Sequence, residues 1–294
     1  MHGVITLTTD FGHKGPFVAV MRGVILSRTP DARVIDLTHE IHVHWPAEAG
    51  FWLARAYAYF PSGSVHVAVV DPGVGTSRDI LAVEHEGHVF LAPDNGLLAP
   101  LIEADEATRV FRLDDHWRQQ QDWPSPSQTF HGRDIFAPLA ADLLGGRLQP
   151  SDIGPRTTDI VPSLLEPAEK HGQEIRGTVV TIDHFGNLIT NIDEKLLAEL
   201  TQPRVQAAGR RLPLLHTYGQ TKPGDFLALI NSFGVLELAC AEGNAADRLG
   251  LGRGAPVTVT ERQEPPPQHT DCLPCCSRCP PVCVQLPAWL QLPV

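Results

Sequence analysis

The stretch Val65-His66-Val67-Ala68-Val69-Val70-Asp71-Pro72-Gly73-Val74-Gly75 decides the fold. Residues 65–70 make a short, almost unbroken apolar run rich in valine, the pattern of a strand buried on both faces. The Pro-Gly-Val-Gly that follows is a tight turn, which holds the Asp71 carboxylate at the rim of the sheet. Outward from this point the same succession recurs. Apolar runs at 4–8, 34–37, 80–84 and 89–92 are interleaved with helical stretches at 17–27, 47–59 and 135–144. Such alternation predicts an α/β fold whose N-terminal part is a mostly parallel sheet with flanking helices. Polar phrases follow the strands: Asp10 after the first, Asp71 after 65–70, Asp94 and Asn95 after 89–92. In open α/β sheets the ligand crevice lies at the strand carboxyl ends, so these loops converge on one site.

Beyond a stretch rich in Pro, Thr and Glu the texture changes. Short strands at 174–182, 188–192, 204–205, 226–230, 235–239 and 256–259, separated by Gly, Asn and Pro turns, predict a smaller C-terminal antiparallel β-barrel. The expected division is an α/β domain over 1–155, a linker over 156–173, a barrel over 174–262 and a Pro/Cys-rich tail over 263–294, read as disordered.

With 294 residues, 43% hydrophobic, the chain has apolar material for two cores. A formal net charge of −11 argues against nucleic-acid or anionic-membrane partners, which demand clustered Lys and Arg, and favours a small or cationic ligand. No run of about 18 apolar residues is present and no basic, then apolar, leader precedes residue 4, so a cytoplasmic location is expected. Cys240 alone lies in the body, which reads as reduced. The tail spacings Cys272-x-x-Cys275 and Cys276-x-x-Cys279 are compatible with zinc, but no periodic scaffold surrounds them. His42-x-His44 with Asp36 nearby offers metal-ligand types without a His-Glu-x-x-His spacing. The expectation is therefore no metal and no cofactor.

Three residues cover what hydrolysis asks of side chains. Asp71, Arg78 and His131, the last in Thr129-Phe130-His131-Gly132-Arg133-Asp134, supply a carboxylate, a permanent cation and a titratable imidazole to orient water, accept its proton and balance charge. Each has a plainer reading: Asp71 as the cap of its own turn, Arg78 as a solvated cation, His131 as a satisfied core histidine. Asp10 suits the two hydroxyls of a ribose or the N-cap of the following helix. Asn187, in Asp183-His184-Phe185-Gly186-Asn187, suits an adenine edge or a turn, and Asn231-Ser232-Phe233-Gly234 carries the same ambiguity.

Seven phrases, taken in order, resemble the S-adenosylmethionine hydrolases (hydroxide adenosyltransferases), which share a fold with the fluorinases and chlorinases. They are Thr8-Thr9-Asp10-Phe11-Gly12, Ile35-Asp36-Leu37-Thr38-His39, Val70-Asp71-Pro72-Gly73-Val74-Gly75, Pro93-Asp94-Asn95-Gly96-Leu97-Leu98, the His131 and Asp183 phrases above, and Asn231-Ser232-Phe233-Gly234. The resemblance spans residues 4–260. It implies S-adenosylmethionine as substrate, with Asp71, Arg78 and His131 activating water and either Asp71 or His131 taking the proton. It further implies that Asp10 binds the ribose hydroxyls beside Trp45, with Asn95 and Phe130 at the same site. By the same likeness Asp183 and Ser232 hold the methionine end, and Asn187 with the backbone near Ala245 reads adenine against Phe185 or Tyr218. Homotrimers with sites between subunits are implied too. A halogenase is the alternative within the fold, and a non-catalytic adenosine-binding module the alternative outside it. A fixed carboxylate at Asp71 repels an incoming halide, which favours hydrolysis.

Overall fold

Valine-rich strands and amphipathic helices alternate through the first half of the computed structural model, which describes residues 3–261. The tail, with its cysteine spacings, lies outside the described residues. The elements are β1 (Ile5–Thr9), α1 (Phe17–Arg28), β2 (Val34–Thr38), α2 (Pro46–Ala56), β3 (Val65–Val69), β4 (Ile80–His85), β5 (His88–Pro93), α3 (Ala99–Ile102), β6 (Arg109–Arg112), α4 (Asp115–Gln119) and α5 (Ala137–Leu144). Their strand order is β2-β1-β3-β5-β4-β6. β1 runs parallel to β2 and β3, and β3 to β5, whereas β4 is antiparallel to β5 and β6. Three of the five pairings in this sheet are parallel, as expected of a mostly parallel sheet, and β4 makes it mixed at one edge. Glu86 and Gly87, both at positive φ (47° and 78°), join β4 to β5 as a two-residue hairpin, and such a turn forces the antiparallel sense.

Every residue of β3 is buried, which explains why its sequence lacks alternation. Val65, Val67 and Val69 pack towards Met21 and Ile25 of α1 and Leu139 of α5, while Ala68 packs on the other face with Ala49 and Leu53 of α2. The helix expected over 47–59 ends at Ala56 and continues as a 3-10 turn, Tyr57–Tyr59. The one expected over 135–144 is preceded by a π turn, Gly132–Phe136, directly after His131.

The second half comprises β7 (Glu169–His171), β8 (Glu174–Ile182), β9 (Leu188–Asp193), α6 (Glu194–Leu197), β10 (Arg204–Ala207), β11 (Arg210–Leu212), β12 (Phe226–Ile230), β13 (Val235–Cys240), α7 (Ala245–Leu249) and β14 (Pro256–Thr260). These strands form an antiparallel sheet in the order β11-β10-β14-β8-β9-β13-β12, with β7 beside β8. The sheet curls until Leu215 N donates to Ala228 O and Ala228 N to Pro213 O, both at 2.8 Å, nearly closing a barrel. Ile175, Val179, Leu188, Leu238 and Val257 fill its own core. The two halves meet where Phe51 of α2 packs with Val180, Ile189 and Val235. Beside that contact the buried Glu48 carboxylate accepts hydrogen bonds from Thr181 Oγ1, His42 N (2.8 Å) and Arg253 Nη2 (3.4 Å).

Candidate active site

β3 delivers Asp71 to the sheet rim one residue beyond Val70, whose carbonyl is held by Asn95 Nδ2 at 2.8 Å. The turn that follows presses on the loop carrying His131. Gly75 has φ 78°, and a Cβ there would lie 2.2 Å from the Gln128 carbonyl oxygen, so no side chain fits. The turn returns Arg78 onto Asp71: its Nε lies 3.0 Å from both carboxylate oxygens, and Nη2 also bonds Oδ2. The other neighbour of Nη2 is His131 Nδ1, at 2.8 Å. Residues far apart in the chain are therefore one hydrogen-bonded unit, with Asp71 5% and Arg78 11% exposed at their side chains. Arg78 has only donors, so Nδ1 must accept and the neutral imidazole carries its proton on Nε2. Burial, and then the Arg78 cation, holds the His131 pKa below the ordinary imidazole value of 6.5.

Asp71 and His131 face a cavity of about 250 Å³ whose walls include Asp10, Phe11, Phe130 and Gly132. Asp10 Oδ2 accepts the His44 amide at 3.0 Å, and Phe130 is wedged edge-on against Phe11 and Phe17. Arg78 lines a separate hollow of about 210 Å³ behind the trio, sharing His131 as its wall. Trp45 is half-buried at the start of α2, with its Nε1 lacking a partner. Asn95 lines neither cavity. Its amide is spent on Val70 and, through Oδ1, on the Leu97 amide at 3.3 Å, so it braces the rim.

The other expected residues gather on the barrel, around a larger cavity of about 930 Å³. Asp183, Phe185, Asn187, Tyr218 and Ser232 all line it, and none of its lining residues is shared with the trio's cavity. Asp183 Oδ1 accepts the amides of Phe185 (2.9 Å) and Asn187 (2.8 Å), and Oδ2 accepts Asn187 Nδ2 (3.0 Å). That turn leaves the Phe185 ring 74% exposed at the cavity edge. Ala245 is buried at the start of α7, and Ala246 N ties this helix to Gly186 O at 2.9 Å. Sequence reasoning missed Glu237, a cavity-lining acid in the otherwise apolar β13. The signal was there: a lone carboxylate between Leu236 and Leu238 is out of place in a buried strand. Asp36 is engaged by Arg22 and His39 rather than by His42 and His44. Among the described residues no cluster of three or more His, Cys, Asp or Glu forms a metal-binding group, and no helix is long and apolar enough to cross a membrane.

The sequence profile of the SAM hydroxide adenosyltransferase N-terminal domain matches residues 5–154, and that of the C-terminal domain matches residues 177–258. The chain belongs to the SAM hydroxide adenosyltransferase family. Within it, an (R)-S-adenosyl-L-methionine hydrolase of Thermus thermophilus is 38% identical over 255 residues, covering 85% of this chain and 97% of that protein. A fluorinase of an Actinoplanes species is more distant, 27% identical over 295 residues and covering 88% and 97%. The crystal structure of an uncharacterized conserved protein from Thermotoga maritima superposes with a TM-score of 0.80 at 32% identity, covering 88% of this chain and all of that one. This chain thus shares the fold of that solved structure.

Proposed function

We propose that this protein hydrolyses S-adenosyl-L-methionine to adenosine and L-methionine, and that the (R)-sulfonium form named for its relative is the substrate. The observation that carries this reading is the Asp71–Arg78–His131 unit opening onto the cavity at the β1 and β3 carboxyl ends. A water in that cavity meets Asp71 and His131, with Arg78 behind them. Because Nδ1 of His131 accepts from Arg78, its Nε2–H is left to donate to the water oxygen, and Asp71 is the group placed to accept the proton. Arg78 balances the charge that develops. The water oxygen attacks the ribose 5′ carbon in line, and the C5′–S bond breaks with its electron pair going to sulfur. Methionine leaves as a neutral thioether and needs no general acid. Holding nucleophile and carbon in line contributes several kcal/mol, about 7 or more in well-oriented cases.

In this reading Asp10 takes the ribose hydroxyls, with Trp45 and Phe130 near the sugar. Asp183 and Ser232 take the methionine end, while Asn187, Phe185, Tyr218 and the backbone near Ala245 take adenine. The α/β half and the barrel act as two domains, 1–155 and 174–262. Since the two cavities share no wall residue in one chain, one subunit's trio completes its neighbour's barrel cavity in a homotrimer. The test is to incubate chelator-treated protein with S-adenosylmethionine in oxygen-18 water, with and without excess chloride, and weigh the products. Labelled adenosine with methionine is expected. Formation of 5′-chloroadenosine would make the protein a halogenase, and unchanged substrate would leave only a binding module.

A further inference from the structure

Glu237 is a buried carboxylate whose hydrogen-bond partners carry no charge. On β13 it is 3% exposed, yet it forms part of the wall of the 930 Å³ cavity. Its Oε1 accepts the Tyr218 hydroxyl at 2.5 Å and its Oε2 accepts Asn231 Nδ2 at 3.2 Å. Burial pushes its pKa above the ordinary glutamate value, and the nearby Asp183 charge adds to this. Among the described residues the cavity wall contains no Lys or Arg, and its exposed His216 is not among the partners of Glu237. An ionised carboxylate in such a place is costly unless an opposite charge accompanies it. Trp52, Leu229 and Ile230 keep part of the wall apolar, which strengthens the pull on any cation that enters.

Resting on S-adenosylmethionine as the substrate, we propose that Glu237, held by Tyr218 and Asn231, is the specificity-determining residue that recognises the sulfonium charge. The cavity then selects the charged sulfonium over uncharged thioether nucleosides, its demethylated analogue included. The attraction has a built-in end. When the C5′–S bond breaks, sulfur becomes neutral and the proton from water leaves by Asp71, so the products no longer carry the charge that held the substrate. An interaction stronger in the ground state than in the transition state lowers KM without raising kcat.

The experiment measures kcat and KM for S-adenosylmethionine, and the inhibition constant of S-adenosylhomocysteine, in the wild type, E237Q and E237D. E237Q is expected to raise KM about tenfold without lowering kcat and to leave S-adenosylhomocysteine inhibition within about twofold. E237D, which keeps the charge, is expected to keep the preference for the sulfonium. Equal weakening of both ligands in E237Q, or no change in either, overturns the proposal. Should E237Q fail to fold, loss of the preference in E237D overturns it instead. Wild-type protein without turnover refutes the substrate reading itself, whereas normal wild-type turnover beside an E237Q that keeps the wild-type preference for the sulfonium refutes only the role of Glu237.

Discussion

His131 must stay neutral for the trio to hold together, because protonating Nδ1 would turn the acceptor of the Arg78 bond into a second cation facing it. Its pKa is lowered by burial first, then by Arg78, with Arg118 a further lowering charge. The sign follows: activity is full above this pKa and falls as pH drops through it, so the acid limb of kcat/KM lies below 6.5. Replacing Arg118 by Gln removes one lowering charge and is expected to move that limb to higher pH in a kcat/KM profile. A limb that stays put or moves down would show that His131 does not set it. His131→Ala is expected to lower kcat by about 10²–10⁴-fold while substrate affinity, read by equilibrium binding, changes little. Retained turnover would remove His131 from the mechanism.

Strands and turns show which parts of this fold were legible in the sequence. The all-apolar β3 and the phrases after each strand were readable because a doubly buried strand has no other pattern, and these phrases placed Asp10, Asp71 and His131 around one cavity. The antiparallel β4 was not, since the Glu86-Gly87 hairpin that sets its sense carries a non-glycine residue at positive φ. Asn95 and Asp183 read as ligand contacts, yet Asn95 bonds the Val70 carbonyl and the Leu97 amide, and Asp183 the amides of its own turn, a use that residue type alone does not separate from binding. His66 on β3 was invisible as a site. It is fully buried, bonded at Nδ1 to Thr6 of β1 (2.8 Å) and at Nε2 to His88 of β5 (3.1 Å), so it ties three adjacent strands. Burial, then the neighbouring His88, pushes its pKa down to about 3. Above 6.5 both folded and unfolded chains hold it neutral. Between 6.5 and about 3 only the unfolded chain takes up the proton, so stability falls as pH falls, by up to on the order of 4–5 kcal/mol across that window. Urea midpoints at pH 7 and 4.5 should therefore diverge strongly in the wild type and much less in His66→Gln. An equally steep loss in both would place the acid sensitivity elsewhere.

At the scale of the whole molecule, the chain carries two cavities with no wall residue in common, one lined by Asp71 and His131 and one by Phe185, Asn187 and Tyr218. A substrate that spans nucleoside and amino acid needs both, and if one subunit lends its trio to the barrel of the next, damage to the two halves should complement. His131→Ala disables only the first half, and Asn187→Ala only the second. Each variant alone is expected to have little activity. After the two are unfolded together, mixed in equal amounts and refolded, an interface built from the intact trio of one and the intact cavity of the other should recur in about a quarter of the sites if assembly is random. Activity per subunit should then recover to about a quarter of the wild-type value, with the oligomeric mass checked by light scattering. If each site lies within one chain, every subunit of the mixture keeps one defect and no recovery occurs, so the mixture measures directly where the site is assembled.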